Sequence, residues 1–105
     1  MKYEAIVIGV SAGGLLALSV ILEALPAKFP VPVIIIQHRS KDEKTLLEEV
    51  LQAKCAIQIK QADEKEQPTR GTVYLAPADY HLLIERDFRF SLTCDAPVKP
   101  GIHRR

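Results

Sequence analysis

Between Ala5 and Leu22 lie eighteen consecutive residues without a charged side chain, broken at the centre by Gly9, Ser11, Gly13 and Gly14. A run that long reaches the lower limit for a membrane span, and Lys2 before it with Leu25-Pro26-Ala27 after it imitates a secretory signal. The interruption decides against both. A signal or a span needs its strongest apolar block where this chain places glycines and a serine, and Glu4 heads the run. The pattern that fits is strand, tight turn, helix: Ala5-Ile6-Val7-Ile8 is β-type, and Leu15 to Leu25 is helix-type. The chain is therefore expected in the cytoplasm, without membrane insertion.

The rest of the chain continues in the same style. Tyr3 to Gly9 does not alternate, so it reads as a first strand buried on both faces. The helix from Gly14 to Leu25 is apolar nearly all round and should lie deep against a sheet, under a further layer. Val31 to Gln37 forms a second strand. Ser40-Lys41-Asp42-Glu43 has the form of a capping box and should open a helix with Leu46, Leu47, Val50 and Leu51 on its core face. Ala56 to Lys60 alternates as a third strand, and Asp63 to Arg70 reads as a solvated loop. After Gly71 the rhythm changes to strand-like runs at Thr72–Ala76 and His81–Glu85, joined by a turn at Pro77-Ala78-Asp79. Phe88, Phe90 and Leu92 alternate with polar residues as a further strand. The first sixty residues thus predict an α/β fold, a doubly wound parallel sheet with a β-α-β-α-β start. The remainder predicts an antiparallel ribbon beside it.

A chain of 105 residues is one small domain or part of one, and buries roughly 65% of its unfolded surface. Its net charge of +1 excludes a phosphate-tracking surface, so no nucleic acid is expected as partner. Cys55 and Cys94 lack C-x-x-C spacing and read as free thiols of a reducing compartment. With three scattered histidines and no H-x-x-H pattern, neither a metal nor a cofactor is expected.

Chemistry points to the turn. Gly9-Val10-Ser11-Ala12-Gly13 fits G-x-S-x-G, in which flanking glycines let the backbone bend and leave a serine hydroxyl exposed above the sheet. Ser11 is then the nucleophile, and the Ala12 amide at the helix start would hold the developing oxyanion, with Gly9 and Gly13 shaping the turn. A glycine-rich turn after a first strand also opens dinucleotide folds, but there Ser11 would occupy the second glycine position. The turn alone leaves both readings open. His38 favours the first: it follows Gln37 at the carboxyl end of strand two, one β-α-β unit after Ser11. The carboxyl ends of neighbouring parallel strands converge on one crevice, which makes His38 a natural general base and acid. The alternatives are a histidine that merely ends a strand, and a nucleotide- or phosphate-binding module. His81 could line the rim of such a site, although a plain surface position suits it better.

Ile8-Gly9-Val10-Ser11-Ala12-Gly13-Gly14, Ala24-Leu25-Pro26-Ala27 and Ile36-Gln37-His38 resemble the catalytic domain of the bacterial chemotaxis protein-glutamate methylesterases. So do Gly71-Thr72-Val73-Tyr74-Leu75-Ala76-Pro77, His81-Leu82-Leu83, Asp95-Ala96-Pro97-Val98 and His103-Arg104. The resemblance covers essentially the whole chain. It implies hydrolysis of glutamate methyl esters on methylated chemoreceptors, with glutamine deamidation in many members, and the roles of Ser11 and His38 given above. Two departures matter. Ala12 stands where the family commonly has threonine. The family's triad aspartate lies in a later glycine-rich turn, and none of Asp42, Asp63, Asp79, Asp87 or Asp95 matches it; Asp79, in the hairpin turn, is the nearest substitute. Residues 1–105 are therefore expected to be the N-terminal portion of a methylesterase domain, with no receiver domain and little activity alone. A third reading is an assembly fragment whose unfinished sheet edge pairs with another copy or with a partner.

Overall fold

The structure is a computed structural model, and it describes residues 4–10, 15–37, 47–77 and 80–94. Eight elements follow one another: β1 (Ile6–Val10), α1 (Leu15–Glu23), β2 (Val33–Gln37), α2 (Leu47–Lys54), β3 (Gln58–Gln61), β4 (Thr72–Leu75), β5 (Tyr80–Ile84) and β6 (Phe90–Cys94). The first four strands form one parallel sheet in the order β1-β2-β4-β3, and β5 and β6 form an antiparallel ribbon. The α/β class with a parallel sheet and a ribbon is as the sequence predicts.

One strand was misplaced by sequence reasoning. Thr72–Leu75 is not part of the ribbon but inserts between β2 and β3 as the fully buried β4. Register fixes it on both sides: Val33 pairs with Val73, and Ile59 also pairs with Val73. The ten residues from Ala62 to Gly71 carry the chain from β3 back to the start of β4 without a helix, a short path for a parallel crossover. This is why the rhythm changed after Gly71 although the sheet had not ended.

Alternation along the strands separates two cores. On one face Val33, Ile35, Val73, Leu75, Ile57 and Ile59 pack with Leu18 and Leu22 of α1 and Leu47 and Leu51 of α2. On the other, Ile34, Tyr74, Ala62 and Ala76 pack with Leu82 and Phe90 of the ribbon. The Tyr74 and Phe90 rings meet edge to face at 4.9 Å, a contact worth about 1 kcal/mol beyond the area it buries.

Side chains fix the connections. Gln52 accepts the Ile59 N–H at 2.7 Å and donates to the Ile57 carbonyl at 2.9 Å, clamping the last turn of α2 to the start of β3. The segment after β3 is no mere solvated loop. Its Lys65 N–H donates to the Phe90 carbonyl and its Glu66 carbonyl accepts the Phe90 N–H, both at 2.8 Å. Glu64 also accepts the Leu92 N–H at 2.7 Å. The loop is thereby stitched to β6, over the second face of the sheet.

Three further expectations change. Among the described residues β1 is an edge strand, and Val7 is 55% exposed rather than buried. On α1, Leu18 and Leu22 are buried, whereas Leu16, Val20 and Ile21 are exposed, so no layer among the described residues covers its outer side. Phe88 lies in the hairpin turn with φ 61°, and the last strand begins only at Phe90. The capping box at 40–43 lies outside the described residues.

Candidate active site

The carboxyl ends of neighbouring parallel strands open on one crevice. β1 and β2 pair in parallel from Ile6↔Val33 to Val10↔Gln37. The final pair therefore sets Val10, which leads directly into Ser11, beside Gln37, which leads directly into His38. Adjacent strands run about 4.8 Å apart, so the two described ends lie within side-chain reach of one another at the same level of the sheet. Ser11, Ala12, Gly13 and His38 themselves lie outside the described residues, as do Asp42, Asp79, Asp95 and His103.

Gly9 is described, and its part differs from the expected one. It sits inside β1, paired with Ile36, and its φ is not left-handed, so it supplies no bend. A Cβ built on it would meet nothing within 4 Å. What the glycine provides is open space on the sheet face next to Ile36, one position before the end of β1.

The carboxyl ends of β3 and β4 share this edge: Gln61 pairs with Leu75, which also pairs with Ile35. Buried Ala76 and then Pro77 continue from β4 toward β5, where Tyr80 donates its N–H to the Pro77 carbonyl. His81 is the second residue of β5, exposed and paired with Thr93, next to buried Leu82.

The two described aspartates each face a basic side chain. Asp63 accepts from Lys60 Nζ at 3.3 Å, and Asp87 lies in the β5–β6 turn, 3.9 Å from Arg89. Lys60 is held more tightly by Glu66, at 2.6 Å, and the Glu66 hydrogen bond is the main reason its ammonium titrates above the ordinary lysine value. Sequence reasoning missed this cluster, for alternating acids and lysines in a loop look the same whether solvated or paired. Cys55 is a buried free thiol, and burial pushes its pKa up, the opposite of what a reactive thiolate needs. Clefts elsewhere take no part in this site: one of about 570 Å³ runs along Glu64, Lys65 and the hairpin turn, and one of about 580 Å³ lies at the opposite ends of the strands, by Lys28, Gln58 and Thr72. Among the described residues no group of His, Cys, Asp and Glu could hold a metal, and no helix is long and apolar enough to cross a membrane.

Comparison with known proteins agrees with this frame. The family model described as CheB methylesterase matches residues 6–104. A curated relative from Leptospira interrogans is 50% identical over 93 residues, covering 89% of this chain and 48% of its own length. Two others are named protein-glutamate methylesterase/protein-glutamine glutaminase. The one from Trichodesmium erythraeum is 37% identical, covering 83% of this chain and 25% of its own. The one from Clostridium acetobutylicum is 35% identical, covering 96% and 30%. The crystal structure of the Thermotoga maritima CheB methylesterase catalytic domain superposes with a TM-score of 0.76 at 29% identity, over 96% of this chain and 54% of that one. The chain thus spans about half or less of the length of the proteins it matches. On the strength of a match from the first strand almost to the last residue, it belongs to the CheB methylesterase family.

Proposed function

We propose that this chain supplies the serine–histidine half of a cytoplasmic protein-glutamate methylesterase acting on methylated chemoreceptors. The observation that carries the reading is the Val10↔Gln37 pair, which delivers the chain to Ser11 and to His38 from adjacent strand ends. Ser11 Oγ attacks the γ-carbonyl of a glutamate methyl ester while His38 takes the hydroxyl proton. The tetrahedral oxyanion is held by the Ala12 amide, and Gly13 leaves room for it. Collapse expels methanol, which receives the proton from His38, and water then releases the glutamate from the acyl-Ser11 intermediate by the same steps in reverse. A glutamine side chain entering the same site would lose ammonia instead of methanol, which is deamidation.

No triad aspartate matches within these 105 residues, and in a serine triad the loss of that orienting carboxylate lowers turnover by about 10⁴. The proposal therefore expects slow hydrolysis by this chain alone, and a large gain when the remaining part of a methylesterase domain is present. The test is labelling with a fluorophosphonate probe, followed by peptide mapping, beside a methyl-ester hydrolysis assay. Modification at Ser11 that is lost in Ser11→Ala and slowed in His38→Asn supports the reading. No labelling in a folded chain refutes it, and equal turnover by short and long forms refutes the need for a missing residue.

A further inference from the structure

The cleft at the entry ends of the strands differs from the other one in charge. It encloses about 580 Å³ between the connection that precedes β2, with Lys28, Phe29 and Pro30, and the approach to β4, with Thr69, Arg70 and Thr72. Two bases line it and no acid, whereas the cleft by the hairpin turn mixes Lys65, Arg86 and Arg89 with Glu64, Glu85 and Asp87. Among the described residues neither Lys28 nor Arg70 makes an ion pair or a side-chain hydrogen bond. The two connections touch at Gly71, where the Ala27 carbonyl oxygen lies 3.1 Å from the place a Cβ would take. Lys28 and Arg70 adjoin those touching residues in sequence. Backbone packing thus brings two like charges to one cleft.

A buried hydroxyl belongs to the same wall. Thr72 is 5% exposed, and its side chain has no hydrogen-bond partner among the described residues. Such a hydroxyl is uncommon, because burial removes its bonds to water and returns none. Thr72 pairs across the sheet with Gln58, a further lining residue, which carries an exposed side-chain amide. Thr69 adds a second hydroxyl. Its N–H donates to the Tyr74 hydroxyl, which can pass its own proton to Thr69 Oγ1 at 3.1 Å and leave the Thr69 proton to be donated outward.

We propose that this cleft binds a phosphate group. The Arg70 guanidinium offers two parallel N–H donors that match a phosphate edge, and Lys28 adds a second positive charge from the facing connection. The Thr72 and Thr69 hydroxyls and the Gln58 amide donate to the remaining oxygens, which gives the buried Thr72 hydroxyl its partner. The volume falls within the range of small-molecule sites, so a phosphate carried on a small molecule fits as well as the free ion. The proposal is independent of the esterase reading. Its residues stand at the entry ends of β3 and β4, whereas Ser11 and His38 follow the carboxyl ends of β1 and β2.

Titration of the full 105-residue chain with inorganic phosphate at constant ionic strength, followed by amide chemical shifts, tests it. The expected result is a saturable change centred on the Arg70, Gly71 and Thr72 amides. Lys28→Gln and Arg70→Gln should each weaken binding about tenfold, and Lys65→Gln and Arg86→Gln, in the other cleft, should leave it unchanged. Thr72→Val should weaken binding about threefold, yet leave the free chain at least as stable, because it removes a hydroxyl that the protein does not satisfy. A parallel titration with a nucleoside monophosphate distinguishes the source: tighter binding with added shifts at Phe29 marks an esterified phosphate, and tighter binding of the bare ion marks free phosphate. Shifts that grow without saturating overturn the proposal. Two cations that merely offset the carbonyl ends of α1 and α2, which finish on this side of the sheet, would behave in that way. Equal losses in all four charge variants, the mark of a general field, overturn it as well, and so does a Thr72→Val chain that binds phosphate as the native one does.

Discussion

Lys60 of β3 and Glu66 of the following segment lie 2.6 Å apart, Nζ to Oε2, while the other Glu66 oxygen accepts the Asp63 N–H at 3.0 Å. One carboxylate therefore holds both the strand it follows and the turn between them. The ammonium also stands 5.9 Å from the centre of the Tyr74 ring, so the pair borders the second core rather than open water.

Lys60→Met is expected to cost about 1 kcal/mol in urea unfolding, a small figure because both side chains remain partly exposed. The sign of its pH dependence follows from the raised pKa. A lysine that titrates higher in the folded chain than its ordinary 10.5 contributes fully below that value and loses the contribution as pH rises through the folded pKa. The native chain should lose stability above about pH 10.5, and Lys60→Met should lose less over the same range.

Tyr74 is almost completely buried, yet its hydroxyl accepts the Thr69 N–H at 2.9 Å and lies 3.1 Å from the Thr69 hydroxyl. Tyr74→Phe keeps the ring contact with Phe90 but leaves that amide without its partner, at a cost of about 1–2 kcal/mol. Tyr74→Ala should cost about 3–5 kcal/mol by emptying the second core. Chemical denaturation of the two variants separates the hydrogen bond from the packing.

Gln52→Ala removes both ends of the α2–β3 clamp and strands the Ile59 N–H at the start of an edge strand. A loss of about 1–3 kcal/mol is expected. Hydrogen exchange gives the more specific reading: the Ile59 amide should exchange faster, while those of β4 change only with global stability.

Two residues in one connection predict opposite outcomes. Gly71 has φ +74°, and an added Cβ would stand 3.1 Å from the Ala27 carbonyl oxygen, so Gly71→Ala should destabilise by about 1–3 kcal/mol. Lys65 has φ 67° with an exposed side chain, so Lys65→Gly relieves the same strain and should stabilise by about 0.5–1 kcal/mol. Thermal melts of the two variants should move in opposite directions.

Much of this architecture was legible in the residues. Continuous apolar runs located β1 and β2, and the glycine-rich turn with the following helix set the direction of the chain between them. The carboxyl end of β2 at Gln37 was therefore placed correctly, whereas β1 runs one residue further than Gly9, to Val10. Strand order was not legible. Nothing local in Thr72-Val73-Tyr74-Leu75 says that it fills a slot between β2 and β3, because that slot is created by residues 14 or more positions earlier. Sequence adjacency favoured pairing it with β5 instead. The exposure of Val7 was missed for a related reason: an apolar run reports that a strand belongs to a core, and not how much of that core the same chain supplies. Gly9 was read as a bend because glycine before a turn usually is one, but its φ shows an ordinary strand residue.

The insertion of β4 carries a consequence for the order of assembly. While the chain is being synthesised, β1 and β2 can zip together early, but β3 emerges with an empty lane between itself and β2. It has no neighbour to bond until Thr72–Leu75 arrive and join the two halves in one step. A chain ending just before Thr72 would hold a two-stranded sheet and a loose third strand, so the cooperative unit of this chain closes late and closes from its middle.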